Sequence, residues 1–160
     1  MVISRKSLTF VVLKEIITIK TIKIMTNVTS FVRKWNGRTL PDWGSSVSPE
    51  FHSFQIAFIN AMRKIAKTLG AEIVKPSYGH YDVSGFFKKG SKYVYFSYSN
   101  GCGYGGRTHI ILKGGHEWDC GCCAPLLIRT AEHEKDYHGG VNNFKPFTEC
   151  EELIEKLLNS

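Results

Sequence analysis

The stretch from Lys92 to Tyr98, KYVYFSY, limits the fold more than any other part of this 160-residue chain. Nearly every residue in it is aromatic, β-branched or a small hydroxyl type, and such side chains favour a pleated strand. Because alternate residues of a strand point to opposite faces, both faces of this one carry large rings. One face holds Tyr93, Tyr95 and Ser97, and the other holds Val94, Phe96 and Tyr98. The pattern predicts a central strand of a sheet that is covered on at least one side.

The residues before this strand predict a hairpin. The sequence HYDVSGFF at 80–87 is typical of a second strand. The turn is supplied by KKGS at 88–91, in which Gly90 is free to take a positive φ. Shorter strands are predicted at 71–75, 107–113 and 126–130, with a turn at 76–79 that leads into the hairpin.

Residues 49–69 predict a long amphipathic helix. Ser48 is an N-cap candidate, Pro49 suits the first helical position, and Gly70 suits the position just after the last turn. Apolar residues recur at spacings of three and four and form one stripe, namely Phe51, Phe54, Phe58, Met62, Ile65 and Leu69. A shorter helix is predicted at the C-terminus, where the apolar side consists of Leu153, Ile154, Leu157 and Leu158.

This order of elements, a helix, then short strands, then a helix, predicts an α+β fold. We expect an antiparallel sheet of about four to five strands packed by one long helix, with a short C-terminal helix. The long helix would cover one face of that sheet.

Composition divides the chain into three parts. Residues 1–24 are rich in Ile, Lys and Thr, and two interpretations of them stay open: an edge strand at 18–24, or a leader outside the core. We favour the leader, with Met25 as the true start, because the composition shifts sharply there. Residues 25–48 contain several turn signals and predict an arm or linker, whose Trp35 and Trp43 cover an edge of the core or anchor a partner. Residues 49–160 then form a single α+β domain.

Charge and cysteine content narrow the class of protein. The net charge is +7, but residues 1–24 hold five basic side chains and one acidic one, so the rest is only weakly basic. That balance gives little support for nucleic-acid binding. No apolar run approaches the roughly 20 residues that span a bilayer, so no membrane role is expected. The five cysteines are odd in number and unlike a secreted disulfide framework, which favours a reducing cytoplasm.

Three phrases of the sequence carry a resemblance to known proteins. They are GHYDVSGFFKKGSKYVYFSYS at 79–99, LIRTA at 127–131 and KDYHGGVNN at 135–143. Together they resemble small uncharacterised bacterial proteins carried on mobile elements or phages. The resemblance implies a bacterial, intracellular setting and no particular activity. The cysteine-bearing stretch 101–123 lies outside the shared pattern.

Cysteine and histidine side chains between 102 and 123 form a candidate metal site. Cys120 and Cys123 are spaced as a C-x-x-C pair, and His116 and Cys102 could complete the four ligands that zinc prefers. A predicted strand of about seven residues, roughly 23 Å long, separates Cys102 from His116, so the glycine-rich loop around Cys102 would have to fold back. The spacing allows a structural zinc, with free thiols in a loop as the alternative.

The charged loop at 129–143 holds the candidate catalytic residues. His133 or His138 could serve as a general base, with Asp136 as the group that orients it and Arg129 nearby. The spacing of five between the histidines breaks the H-E-x-x-H zinc geometry, and no G-x-S-x-G motif accompanies them. The alternative, which we favour, is a solvated loop in which Asp136 and the asparagines cap turns.

The sequence as a whole favours a binding protein over an enzyme. We expect a small cytoplasmic accessory protein of a mobile element that acts through a protein partner. Nucleic acid is a weaker candidate: the aromatic strand with Lys92, Arg107 and Arg129 could stack bases, but core packing accounts better for those rings. The alternative class is a small hydrolase or nuclease that uses the 129–143 loop, with or without a metal.

Overall fold

The computed structural model describes residues 28–41, 48–79, 82–99, 107–113 and 126–160. Its helices are α1 over residues 28–35, α2 at Pro49–Thr68 and α3 at Cys150–Asn159, which a 3-10 turn at Phe147–Glu149 precedes. The strands are β1 (Thr39–Pro41), β2 (Glu72–Tyr78), β3 (Asp82–Lys89), β4 (Lys92–Ser99), β5 (Arg107–His109), β6 (Leu127–Ala131) and β7 (Asn143–Phe144). The predicted leader at 1–24 lies outside the described residues.

Five of these strands form one antiparallel sheet in the order β2-β3-β4-β6-β7. β4 lies at its centre, as the aromatic pattern predicted, and pairs with β3 on one side and β6 on the other. Gly90 in the β3–β4 turn takes the predicted positive φ, at 60°. β1 and β5 pair with each other in a separate two-stranded ladder. The predicted α+β fold, with its antiparallel sheet and short C-terminal helix, is confirmed.

One face of β4 forms the core together with the helices. Val94, Phe96 and Tyr98 are all buried on this face. The ring of Phe58 in α2 lies 6.2 Å from the ring of Phe96 and 5.3 Å from that of Tyr98, centroid to centroid. α3 packs into the same layer through Ile154 and Leu158. The alternation predicted for β4 therefore decides which of its side chains meet the helices.

Local sequence sets both ends of α2. The Ser48 hydroxyl accepts a hydrogen bond from the backbone N–H of Phe51 at 3.0 Å, which caps the first turn. Gly70 follows the last turn with a φ of 65°, a conformation that glycine adopts without strain. Between these ends the predicted stripe is buried at Phe51, Phe54, Phe58, Met62 and Ile65. The sequence thus predicted both the limits and the buried side of this helix.

One polar residue on the buried side of α2 fixes the connection between β2 and β3. Gln55 is fully buried, and its Nε2 donates to the carbonyl oxygens of Gly79 and Asp82, each at 2.7 Å. These two carbonyls flank the connection, so the bonds satisfy buried polar groups and hold the helix against the hairpin. The Asp82 carboxyl at the same place is half-buried, and that burial raises its pKa above the ordinary value.

The chain before α2 differs from the loosely packed arm predicted for 25–48. In the described part of that range, 28–41, the buried side chains are Phe31, Val32, Trp35 and Leu40. The first three share one side of α1 because they are spaced by one and four residues. The turn signal Asn36-Gly37 ends α1, with Gly37 at a φ of 77°, and does not mark a linker. α1 and β1 therefore belong to the packed domain.

Two strands also differ from their predicted limits. β2 runs to Tyr78 through the predicted turn at 76–79, because a bulge between Val74 and Ser77 lets Pro76 lie in the strand without donating to the ladder. β5 covers only Arg107–His109 and pairs with β1. It does not pair with β4, because β3 and β6 occupy both edges of that strand.

Phe58 tests whether the α2 stripe is the core. We expect Phe58→Ala to lower the free energy of unfolding by about 3–5 kcal/mol, because the fully buried ring contacts five other aromatic rings. Ile56→Ala, on the exposed side of the same helix, is the matched control and should change it by less than about 1 kcal/mol. Urea denaturation measures both. Equal, small losses for the two variants would contradict the assignment.

Candidate functional site

The face of the sheet that points away from α2 carries a second, smaller aromatic cluster. Phe86 and Tyr95 are paired across β3 and β4, and their ring centroids lie 5.1 Å apart. Tyr137, from the loop 132–142 that follows β6, lies edge-on to both rings, 5.4 Å from Phe86 and 5.8 Å from Tyr95. This packing buries Phe86 completely and Tyr95 almost completely. We call this side of the sheet the outer face.

Arg129 is the charged residue of this outer face. It lies on β6 directly opposite Tyr95, and its guanidinium carbon is 4.7 Å from the centroid of the Tyr95 ring. Only 7% of the residue is exposed. Nη1 donates to Oδ1 of Asn142 at 3.3 Å, whereas Nε is buried without a hydrogen-bond partner. Within the described ranges the ion pairs join Lys75 to Glu134 and Lys88 to Glu72, so no carboxylate there neutralises Arg129.

This environment leaves the guanidinium poorly compensated. A buried charge is usually paired or fully hydrogen-bonded, because transferring it from water into a protein interior is costly. Here the cation has one aromatic face and one neutral amide, and the amide bond is long for an N–H···O contact. A buried N–H without an acceptor typically costs about 1–3 kcal/mol. A site of this kind favours an anion that can accept from the guanidinium.

The chain segment 137–144, which contacts Arg129 through Asn142, carries three exposed apolar side chains. Tyr137, Val141 and Phe144 are 42%, 78% and 54% exposed. Phe144 is paired with Leu127, whose side chain shares the outer face with Arg129 two residues on, and Asn142 touches Arg129 itself. We call Arg129, Tyr137, Val141 and Phe144 together the outer patch. Of these four residues, only Arg129 was predicted as a site residue; the alternation of LIRTA, which sets Arg129 on the face opposite Ile128, is the signal that points to this face.

Asp136, the predicted orienting carboxylate, holds its own loop together. Its Oδ2 accepts from the backbone N–H of Glu132 at 2.9 Å, and its Oδ1 accepts from those of His138 and Gly139 at 3.2 and 2.7 Å. These bonds, led by the Glu132 amide, lower the pKa of the carboxyl below its ordinary value. With both oxygens engaged by the backbone, Asp136 acts as a turn cap, which is the alternative that the sequence favoured.

Within the described residues, neither predicted histidine forms a hydrogen bond between its imidazole and the Asp136 carboxylate, although the charge of His133 adds to the Glu132 amide in lowering the pKa of Asp136. His133 is exposed, and its Nδ1 lies 3.2 Å from the backbone N–H of Lys135, from which it accepts. His138 is also exposed and reaches Asp136 through its backbone N–H. Glu134 forms the 3.6 Å ion pair with Lys75 on β2. Arg129 therefore lies on the sheet, whereas the histidines, Glu134 and Asp136 lie in the loop 132–142.

The predicted zinc ligands Cys102, His116, Cys120 and Cys123 lie outside the described residues. Among the residues that are described, no group of three or more His, Cys, Asp and Glu side chains is placed to hold a metal. The structural zinc therefore stays a prediction. Cys150, at the start of α3, is a buried free thiol, and burial raises its pKa to about 12, which makes it unreactive.

A cavity of about 540 Å³ opens between α1, the segment at 110–113 and α3. Its polar lining includes Asn36, Lys113 and Glu151. Oδ1 of Asn36 accepts from the backbone N–H groups of Leu112 and Lys113, and Oε1 of Glu151 accepts from the Thr68 hydroxyl. Asn36 and Glu151 therefore already serve the fold, whereas the outer patch holds a buried N–H without a hydrogen-bond partner in the described part of the chain.

Comparison of the chain with protein-family models, curated proteins and solved structures finds no match in any of the three. None of the helices in the described ranges is both long and apolar enough to cross a membrane.

The role of Asp136 can be tested by titration. We expect the backbone amide resonance of Gly139 to titrate with a midpoint below 3.8, because hydrogen bonds to the carboxylate lower its pKa in the folded state. The cap is therefore fully present above the ordinary pKa and is lost as the pH falls through the lowered value. Asp136→Asn should abolish this titration and speed amide exchange at 132–139. A midpoint at or above the ordinary value would contradict the capping role.

Proposed function

We propose that this protein is a small cytoplasmic binding protein that contacts a protein partner through the outer patch, as an accessory factor of a bacterial mobile element. The observation that carries the proposal is the outer patch itself, in which exposed Tyr137, Val141 and Phe144 accompany a buried guanidinium whose Nε has no hydrogen-bond partner among the described residues. The mobile-element setting rests on the sequence resemblance at 79–99, 127–131 and 135–143 alone.

The composition of the outer patch supports a protein partner. Tyr, Phe and Arg are enriched in protein interfaces, and the residues that dominate binding energy are commonly Tyr, Trp and Arg. Tyr137 and Arg129 are held in place by Tyr95, so a partner would meet side chains that have already lost much of their rotational freedom. β7 adds an edge strand of two residues beside the patch, whose outer backbone groups face away from β6.

A nucleic-acid partner fits this surface less well. The loop that borders Arg129 carries Glu132, Glu134 and Asp136, which would repel a phosphate backbone. The aromatic strand, whose rings could have stacked bases, does not offer them, because Tyr95 is buried on the outer face and Phe96 and Tyr98 in the core. The surface therefore supports protein recognition over nucleic-acid recognition.

An enzyme that uses the 129–143 loop is also less well supported. A general base needs an accessible lone pair and an orienting group, and Asp136 already accepts three backbone hydrogen bonds. We therefore expect His133→Ala and His138→Ala to leave binding intact, because neither imidazole belongs to the outer patch.

Site-specific photo-crosslinking tests the proposal. A benzoylphenylalanine residue in place of Val141 should capture a discrete protein in cells that carry the gene, because Val141 is the most exposed member of the patch. The same residue at Lys67, on the exposed side of α2, is the matched control and should capture none. Phe144→Asp should reduce capture at position 141 at least about tenfold while the folded protein persists.

Three outcomes decide between the candidate classes. A captured species that is removed by protease and survives nuclease supports protein binding. A species removed by nuclease would replace the proposal with nucleic-acid binding. Equal capture at positions 141 and 67, or loss of capture in His133→Ala or His138→Ala with the fold intact, would contradict a binding role for the outer patch.

A further inference from the structure

Arg129 offers one edge of its guanidinium for recognition. The Nη1 group donates to Asn142, while among the described residues neither Nε nor Nη2 donates a hydrogen bond to the protein. Nε–H and Nη2–H point the same way along one side of the guanidinium plane, and this side can hold both oxygens of a carboxylate in two parallel hydrogen bonds. The Tyr95 ring below fixes that plane.

We propose that Arg129 binds the side-chain carboxylate of an Asp or Glu residue of the partner protein, an inference that rests on the proposed function. An anion accepting from Nε would satisfy the buried N–H and neutralise the buried charge at once. Because the site is shielded from water, the attraction between the two charges is screened far less there than at an exposed position.

The charge around the site selects a carboxylate over a phosphate. One guanidinium matches a single negative charge, whereas a phosphate group with nearly two charges usually draws several cations or backbone amides. Lys75, which reaches this loop from β2, is already paired with Glu134, and Glu132 and Asp136 add more negative charge to the loop than Lys135 offsets. A partner that also covers Tyr137, Val141 and Phe144 must present a broad surface. A side-chain carboxylate can lie in the middle of such a surface, whereas a C-terminal carboxylate lies at the end of a chain.

Access to Arg129 requires Asn142 and the segment around it to shift, and the polar contacts that join this part of the chain to the sheet are weak. The Lys75–Glu134 ion pair is solvent-exposed, and exposed pairs contribute little to stability. The bond from Arg129 to Asn142 is 3.3 Å long. Asp136 ties positions 132, 138 and 139 together, and Tyr137 anchors this part of the loop on Phe86 and Tyr95, so the shift is confined to the residues that follow Gly139. When the partner's carboxylate takes the place of Asn142 as the acceptor, Arg129 loses a long neutral hydrogen bond and gains charge-assisted ones.

Side-chain NMR of the full chain tests this directly. The probe is N-acetyl-aspartate N-methylamide, which carries only the side-chain carboxylate, and its neutral isostere N-acetyl-asparagine N-methylamide is the ligand control. We expect a saturable shift of the Arg129 Nε–H resonance with the aspartate probe alone. Arg63 is the matched control residue, because it also donates to an asparagine Oδ1, at 3.0 Å, but is exposed.

The remaining outcomes would overturn the assignment. An equal shift with the asparagine probe, an equal shift at Arg63, or no saturable shift at Arg129 each exclude a carboxylate site. Tighter binding of inorganic phosphate at the same ionic strength would make it a phosphate site instead.

A second experiment separates this inference from the proposed function. In the crosslinking assay at position 141, Arg129→Gln should weaken capture by roughly thirtyfold or more, because it removes one member of a buried charge pair. Capture by Arg129→Lys should lie between that of the natural protein and that of Arg129→Gln, since lysine keeps the positive charge but cannot donate two parallel hydrogen bonds. Arg63→Gln should leave capture unchanged. Undiminished capture by Arg129→Gln would contradict the carboxylate site, while the proposal of protein binding would remain supported.

Discussion

The alternation of side chains along β4 is the constraint on which the rest of this structure depends. Because β4 is central and paired on both edges, its odd and even positions must each find a separate environment. Val94, Phe96 and Tyr98 take the side of the helices and close the core. Tyr95 takes the other side, where it supports Arg129 and receives Tyr137. A shift of one residue in register would exchange the core and the candidate site.

The parts of the fold that could be predicted are those with a strong local period. The apolar stripe of α2, its Ser48 cap and its Gly70 end all follow from neighbouring residues, and the structure repeats them. The position of α1 could not be predicted in that way. Its three buried residues are followed by Asn36-Gly37, and such a turn signal ends a helix as readily as it begins a linker. Whether the turn ends a packed helix or begins a linker depends on contact with the core, which the local sequence does not show.

Long-range pairing explains the other differences. The segment 107–113 has the composition of a strand, but composition does not show which strand it pairs with. Both edges of β4 are occupied by other strands, so β5 pairs with β1. For the candidate site, turn chemistry correctly predicted that Asp136 caps its loop. The burial of Arg129 was beyond such reasoning, because it arises from Tyr95, two strand elements earlier, and from a loop whose path the sequence does not specify.

We propose that Arg129 serves recognition and contributes little to folding stability. Arg129→Met tests this role, because methionine fills similar space and leaves no buried charge, while the exposed Asn142 can hydrogen-bond to water instead. We expect a free energy of unfolding within about 1 kcal/mol of that of the natural protein, since the lost cation–π contact is offset by removing a poorly compensated charge. A loss of about 3 kcal/mol or more, measured by urea denaturation, would show that Arg129 is a structural residue and would contradict the recognition role.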